Sequence, residues 1–95
     1  MELKFEWDDQ KASSNLNKHG VSFEDAKKVF ADPLAYIFED RSHSVEERRE
    51  IIIGHDLSYR LFLVSFTERS GVIRIISARL ATNKERKDYE QYSKF

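Results

Sequence analysis

The spacing of hydrophobic and polar positions changes along the chain, and each change marks an element. Leu3, Phe5 and Trp7 alternate with Lys4, Glu6 and Asp8, the period-two pattern of a short half-buried strand. From Asp8 the spacing becomes helical. Asp8 suits an N-cap, and Asp9 adds negative charge to the first turn. Ala12, Leu16 and His19 fall on one stripe, and Lys11, Asn15 and Lys18 fall on another. Gly20 closes the helix, since glycine adopts the left-handed conformation there at little cost. A second helix starts at Ser22-Phe23-Glu24-Asp25, a capping-box pattern with Asp25 in place of Glu. Phe23, Ala26, Val29 and Phe30 form its expected buried stripe, and Asp32-Pro33 ends it.

The rest is strand-rich until the last helix. Leu34 to Phe38 is a short apolar run, and Glu39 to Glu47 is polar and predicts a loop. Arg49 to His55 carries the β-branched run Ile51-Ile52-Ile53. Asp56-Leu57-Ser58 marks a turn, and Tyr59 to Thr67 is apolar on both faces, as a central strand is. Arg69-Ser70-Gly71 predicts a tight hairpin into Val72 to Leu80. Thr82-Asn83-Lys84-Glu85 is a full capping box that opens the closing helix. Consecutive strands joined by short turns run mostly antiparallel. The expectation is an α+β domain with a short N-terminal strand, two helices, an antiparallel meander and a C-terminal helix. The helices are expected to cover one face of the sheet.

Length and composition narrow the chemistry. Ninety-five residues predict a single domain over residues 1–95. There is no cysteine, which excludes disulfide frameworks, zinc ribbons, thiol nucleophiles and iron–sulfur clusters. No apolar run approaches the about 20 residues of a membrane span. Met1 to Trp7 lacks the basic start and apolar stretch of a signal peptide, so the expected compartment is the cytoplasm and no membrane partner is expected. The net charge of −1 conceals an asymmetry. Residues 1–47 hold six basic and eleven acidic side chains, and residues 48–95 hold ten basic and six acidic. Seven of the eight arginines lie in the second part. Such asymmetry suggests one face for a polyanion and another for something basic, unless the halves simply neutralise each other.

Motifs for other chemistries are missing. His19, His43 and His55 show no metal-ligand spacing, and Glu46-Glu47 reads as solvated loop charge. No glycine-rich phosphate loop and no Gly-x-Ser-x-Gly elbow occurs. No cofactor or metal is expected. What remains is the arginine set Arg49, Arg60, Arg69, Arg74 and Arg79, in or beside strands. Strict alternation puts Ile73, Ile75, Ser77 and Arg79 on one face of the last strand, and Arg74, Ile76 and Ala78 on the other. In the strand before it, Leu61, Leu63, Ser65, Thr67 and Arg69 share one face, and Arg60, Phe62, Val64, Phe66 and Glu68 the other. Guanidinium groups held on strands suit bidentate phosphate binding. The plainer alternative is that they pair with Glu50, Glu68 and Glu85 as surface salt bridges. Tyr59, Tyr89 and Tyr92 are candidates for base stacking, with ordinary packing as the alternative.

Several segments taken together resemble a known family. Phe5-Glu6-Trp7-Asp8, Lys11, Asn15 and Lys18-His19-Gly20-Val21-Ser22-Phe23 resemble the start of BrnT-family toxins. Val64-Ser65-Phe66-Thr67-Glu68-Arg69 and Ile73-Arg74-Ile75-Ile76-Ser77-Ala78-Arg79 resemble that family's hairpin. Ala81-Thr82, Lys84-Glu85-Arg86 and Tyr89 resemble its closing helix. The resemblance implies a RelE-like fold and a ribonuclease toxin of a bacterial type II toxin–antitoxin system, which blocks translation. It implies neutralisation by a BrnA-like ribbon-helix-helix antitoxin, with which the toxin binds operator DNA and represses its own operon.

Metal-independent RNA cleavage needs a base for the 2′-hydroxyl, cations for the charge building on phosphorus, and an acid for the leaving oxygen. On this reading Arg79 and Arg49 stabilise the phosphate, and His19 or Glu68 transfers protons. Lys11 and Lys18 steer the RNA backbone, with Arg69, Arg74 and Tyr89 as further RNA contacts. The alternative is a module that binds nucleic acid or antitoxin without cutting.

Overall fold

The computed structural model describes residues 3–43 and 47–92. Five strands form one sheet in the order β1-β5-β4-β3-β2. They are β1 (Lys4–Glu6), β2 (Tyr36–Glu39), β3 (Glu50–His55), β4 (Leu61–Arg69) and β5 (Val72–Leu80). β1 lies parallel to β5, and all other neighbours are antiparallel. The helices are α1 (Asp9–His19), α2 (Phe23–Ala26) and α3 (Asn83–Tyr92). The polar segment expected as a loop over 39–47 contributes the end of β2 and a 3₁₀ turn at Arg41–His43, and its residues 44–46 lie outside the described residues.

Local signals act as expected at the helix ends. The Asp8 carboxylate accepts the Lys11 N–H (3.0 Å), and Gly20 takes φ 70° while its N–H reaches the Leu16 carbonyl. Ser22 caps α2 by accepting the Asp25 N–H. α2 makes only one turn before tightening into a 3₁₀ turn over Lys27–Ala31, so the second helix is shorter than its apolar stripe suggested. Asp56 organises the β3–β4 turn. Its carboxylate accepts the N–H groups of Ser58 and Arg60 and the Arg60 Nε, so β4 begins at Leu61 rather than Tyr59. The β4–β5 hairpin closes through Ser70 and Gly71, both at positive φ, which matches the twist of the paired strands.

The core has two parts, one on each side of the sheet. On the first face, α1, α2 and the 3₁₀ turn cover Ile52, Phe62, Val64, Phe66, Ile73, Ile75 and Ala78 with Val21, Phe23, Ala26 and Val29. Burying a side chain the size of Phe62 completely contributes about 2–3 kcal/mol. On the second face, α3 places Tyr89 against Ile53, Leu61 and Leu63. The expectation that helices cover one face is therefore corrected. The chain leaves β5 at Ala81, and the short link to α3 turns it to the side opposite α1.

Two further differences position the candidate site. The apolar stripe of α1 meets the core only at Ala12, since Leu16 is 50% exposed while Asn15, on the neighbouring stripe, is 7% exposed. Asn15 is drawn in by the edge of β5. Its Nδ2 donates to the carbonyls of Ala78 (2.8 Å) and Val21 (3.0 Å), and its Oδ1 accepts the Ala78 N–H (3.1 Å). β1 pairs only as far as Arg74, and Asn15 does for Ala78 what a longer strand would have done.

The second difference is a bulge in β5. Ser65 pairs with Ser77 and Phe66 with Ile75, which leaves Ile76 without a partner. The inserted residue shifts the alternation. Ile73, Ile75 and Ala78 point into the first core, whereas Arg74, Ser77 and Arg79 share the second face. The expectation that Arg74 and Arg79 lie on opposite faces is thus overturned.

Candidate functional site

The second face divides along the strands. α3 covers the end that carries Leu61, Leu63 and Ile53. The other end gathers arginines. Thr67 pairs with Arg74 across β4–β5, and continuing the β3–β4 register by one residue sets Arg49 beside Thr67. Arg69 stands on the same face of β4 as Thr67. Arg69 binds Glu47 with a fork, Nη2 to Oε1 at 2.8 Å and Nε to Oε2. That hydrogen bond holds the Glu47 carboxyl below its ordinary range, helped by the charges of Arg69, Arg49 and Arg74. Arg74 pairs with Glu6 of β1. Arg49, Arg69 and Arg74 therefore surround one carboxylate.

Arg79 stands apart from them, about 15 Å along β5. Its fork grips Glu85 of α3, Nη1 to Oε1 at 2.7 Å and Nη2 to Oε2 at 2.8 Å. Glu85 also accepts the Thr82 N–H, while the Thr82 hydroxyl accepts the Glu85 N–H, which completes the capping box. The Arg79 hydrogen bond is the main cause that holds the Glu85 carboxyl down to about 2. Glu85 is thus ionised at neutral pH, and Arg79 is held above its ordinary value by the same contact.

A third feature lies at the seam between α1 and β5. Lys11, Ser14, Lys18 and His19 form one wall of an open groove of about 460 Å³, and Ile76 and Ser77 form its floor. Asn15 lies at its base and fixes α1 to the strand. His19 is exposed at the C-terminal turn of α1, not packed in the core. Ser77 belongs to this groove and also sits between Arg74 and Arg79 on β5. It links the helix-borne cations to the arginine face.

The other expected residues are placed differently. Glu68 is on the first face, beside Glu50 and Phe66, across the sheet from the arginines. Tyr89 is 2% exposed. Its ring stacks on Tyr36 (5.6 Å) and meets His55 edge-on (5.3 Å), so it packs α3 and offers no free stacking surface. Arg60 is bound by Asp56 and Asp25 at the opposite end of β4. Of the plainer pairings expected for the arginines, that of Arg79 with Glu85 forms. Arg74 is taken instead by Glu6 and Arg69 by Glu47. The sequence reading passed over Ser77 and Asn15, although the adjacent apolar pair Ile75-Ile76 in an otherwise alternating strand signals the bulge that places Ser77. Among the described residues, no three histidine, aspartate or glutamate side chains cluster as metal ligands. Among the described residues no helix is long and apolar enough to cross a membrane.

Comparison with known proteins gives this geometry a family. Residues 7–85 match the family described as "Ribonuclease toxin, BrnT, of type II toxin-antitoxin system". The chain is similar to the crystal structure of the Brucella abortus ribonuclease toxin BrnT, with 25% identity and a TM-score of 0.66. That match covers 86% of this chain and 100% of the other. No curated protein matches the chain. The matched span runs from the end of β1 to Glu85, and so takes in the groove, the bulge and the arginine face. The chain belongs to the BrnT family of ribonuclease toxins of type II toxin–antitoxin systems.

Proposed function

We propose that this toxin cleaves RNA without a metal ion, with the scissile phosphate over Ser77. The observation that carries the reading is the double membership of Ser77, which floors the groove below His19 and lies between Arg74 and Arg79. RNA crosses the arginine face, contacts Arg49, Arg69 and Arg74, and turns over the edge of β5 into the groove. Lys11 and Lys18 hold the backbone there. His19 takes the proton of the 2′-hydroxyl or gives one to the leaving oxygen, because imidazole can act as base or acid, and water serves the other transfer. Guanidinium groups stabilise the charge that develops on phosphorus. Arg74 and Arg79 are held by carboxylates at the surface, and the phosphate replaces those carboxylates as it arrives. Glu68 is given no part, because it lies across the sheet from Arg49, Arg69 and Arg74.

The same reading makes the protein a single-domain cytoplasmic toxin without a cofactor. A BrnA-like ribbon-helix-helix antitoxin neutralises it, and the complex binds operator DNA and represses the operon. A second reading has one observation behind it. Because Arg69, Arg74 and Arg79 all have carboxylate partners, they are also what a surface that binds without cutting would carry.

The test is incubation of the antitoxin-free protein with RNA in EDTA, beside His19→Ala and Arg74→Ala variants of verified fold. The expected result is fragments ending in 2′,3′-cyclic phosphate, lost with His19→Ala and reduced with Arg74→Ala. Salt-dependent RNA binding without products, with or without translating ribosomes, would establish the binding module instead. Undiminished cleavage by His19→Ala would remove histidine from the chemistry.

A further inference from the structure

β2 ends the sheet, and no described strand pairs with its outer side. The Asp40 N–H donates to the Arg49 carbonyl (2.9 Å), in register with the β2–β3 ladder. Hydrogen-bonded and non-hydrogen-bonded pairs alternate in an antiparallel ladder. Phe38 and Tyr36 therefore turn their backbone groups toward β3, and Ile37 and Glu39 turn theirs to the open edge. Exposed edges are usually blunted by charge or proline. This one carries Ile37 at 50% and Phe38 at 43% exposure.

A groove flanks β2 on each face of the sheet. On the first face, about 440 Å³ is floored by Ile37, Ile52 and Phe66 and walled by Asp32, Glu50 and Glu68. On the second, about 420 Å³ is floored by Phe38, Ile53 and Leu63 and walled by Glu85 and Asp88. Among the described residues no basic side chain lines either groove. Glu39 is held by Arg41 and Arg48, and Glu85 by Arg79. Among the described residues Glu50, Glu68 and Asp88 have no ion-pair partner.

We propose that the outer edge of β2 is where the antitoxin docks, through an extended segment that joins the sheet as a further strand and carries Lys or Arg beside apolar residues. The proposal rests on the reading of this chain as a toxin with an antitoxin partner. Side chains of an added strand alternate between the two faces, so they enter the two grooves in turn. Apolar ones meet Ile37 and Phe38, and basic ones meet Glu50, Glu68 and Asp88. A second copy of this chain fits poorly, because it would bring these carboxylates against their own counterparts. The site lies away from the α1–β5 groove, on the opposite edge of the sheet.

The experiment is amide hydrogen exchange on the full chain, free and bound to the antitoxin that co-purifies from its native locus. Binding is then measured for Ile37→Pro, Glu50→Lys and Asp88→Lys. Ile37→Pro removes an N–H that the β2–β3 ladder does not use. The expected result is protection of the Ile37 and Glu39 amides on binding, with affinity roughly tenfold weaker for each variant. RNA cleavage by the free variants is expected to stay at the wild-type level. Tight binding with these amides unprotected and the variants unaffected would overturn the docking site and leave the toxin reading intact. Failure of wild-type protein to bind any antitoxin would overturn both. Protection that rises with the concentration of the free chain would assign the edge to a second copy and overturn the proposal.

Discussion

Asn15 and Ala78, 63 residues apart, exchange two hydrogen bonds: the Asn15 amide donates to the Ala78 carbonyl and its oxygen accepts the Ala78 N–H. This side chain fixes α1 to β5 and closes the sheet edge beyond β1. Asn15→Ala leaves the N–H and the carbonyl of Ala78 unsatisfied in a buried place. The expected loss is about 1–3 kcal/mol, read as a lower urea midpoint with little change in slope. Asn15→Asp is expected to be worse near neutral pH, because a carboxylate would then face the carbonyls of Ala78 and Val21. Recovery of Asn15→Asp stability on acidification would confirm that the donors of Asn15 matter.

Gly54 tests packing without touching the site. A Cβ there would lie 2.7 Å from the Ala35 Cβ and 2.9 Å from the Val29 Cγ1. Gly54→Ala is expected to cost about 1–3 kcal/mol through overcrowding. Thermal unfolding measures the loss, and the specific RNA cleavage of the remaining folded protein should be unchanged.

The Arg79–Glu85 pair gives the fold an acid dependence of known sign. Glu85 is held from its ordinary 4.5 down to about 2 by the Arg79 guanidinium. A depressed carboxyl stabilises the folded state fully above the ordinary value, and that contribution fades as pH falls toward 2. Urea unfolding of the wild type should therefore weaken between about pH 4.5 and pH 2. Glu85→Gln should lose stability at pH 7 and show a smaller acid decline over that window. Equal declines in the two proteins would place the acid sensitivity elsewhere.

Arg74→Gln and Arg60→Gln separate the two ends of the arginine set. Each phosphate contact on single-stranded nucleic acid contributes roughly 0.7 to the slope of log affinity against log salt. Arg74→Gln is expected to lower that slope by about this amount, and Arg60→Gln, bound by Asp56 and Asp25, to leave it unchanged. Fluorescence anisotropy with a labelled RNA over a salt series reads both.

Much of the fold was legible because its signals are local. The Asp8 and Ser22 caps, the Gly20 terminus, the Ser70-Gly71 hairpin and the Thr82–Glu85 box act within a few residues of where they are written. What escaped is long-range. Nothing near Leu16 indicates that the neighbouring Asn15 is the buried residue, since the reason is a strand edge 63 residues away. The side of the sheet taken by α3 depends on how the chain turns after Ala81. The site was partly legible for the same reason. Lys11 and Lys18 share a wall because helical spacing already aligned them, and His19 joins them from the neighbouring stripe. Glu68 and the arginines cannot be separated until the face of each strand is known.

The bulge at Ile76 makes parity decide which side chains of β5 share a face. Arg74 and Arg79 are separated by an odd number of steps, and only the extra residue between them puts both on the same face. Side-chain chemistry at position 76 matters less than the presence of one residue there. A deletion would keep every charged group of the strand and still scatter them over opposite sides, whereas many substitutions would keep them together. For this surface, the counting of residues is under tighter constraint than their identity.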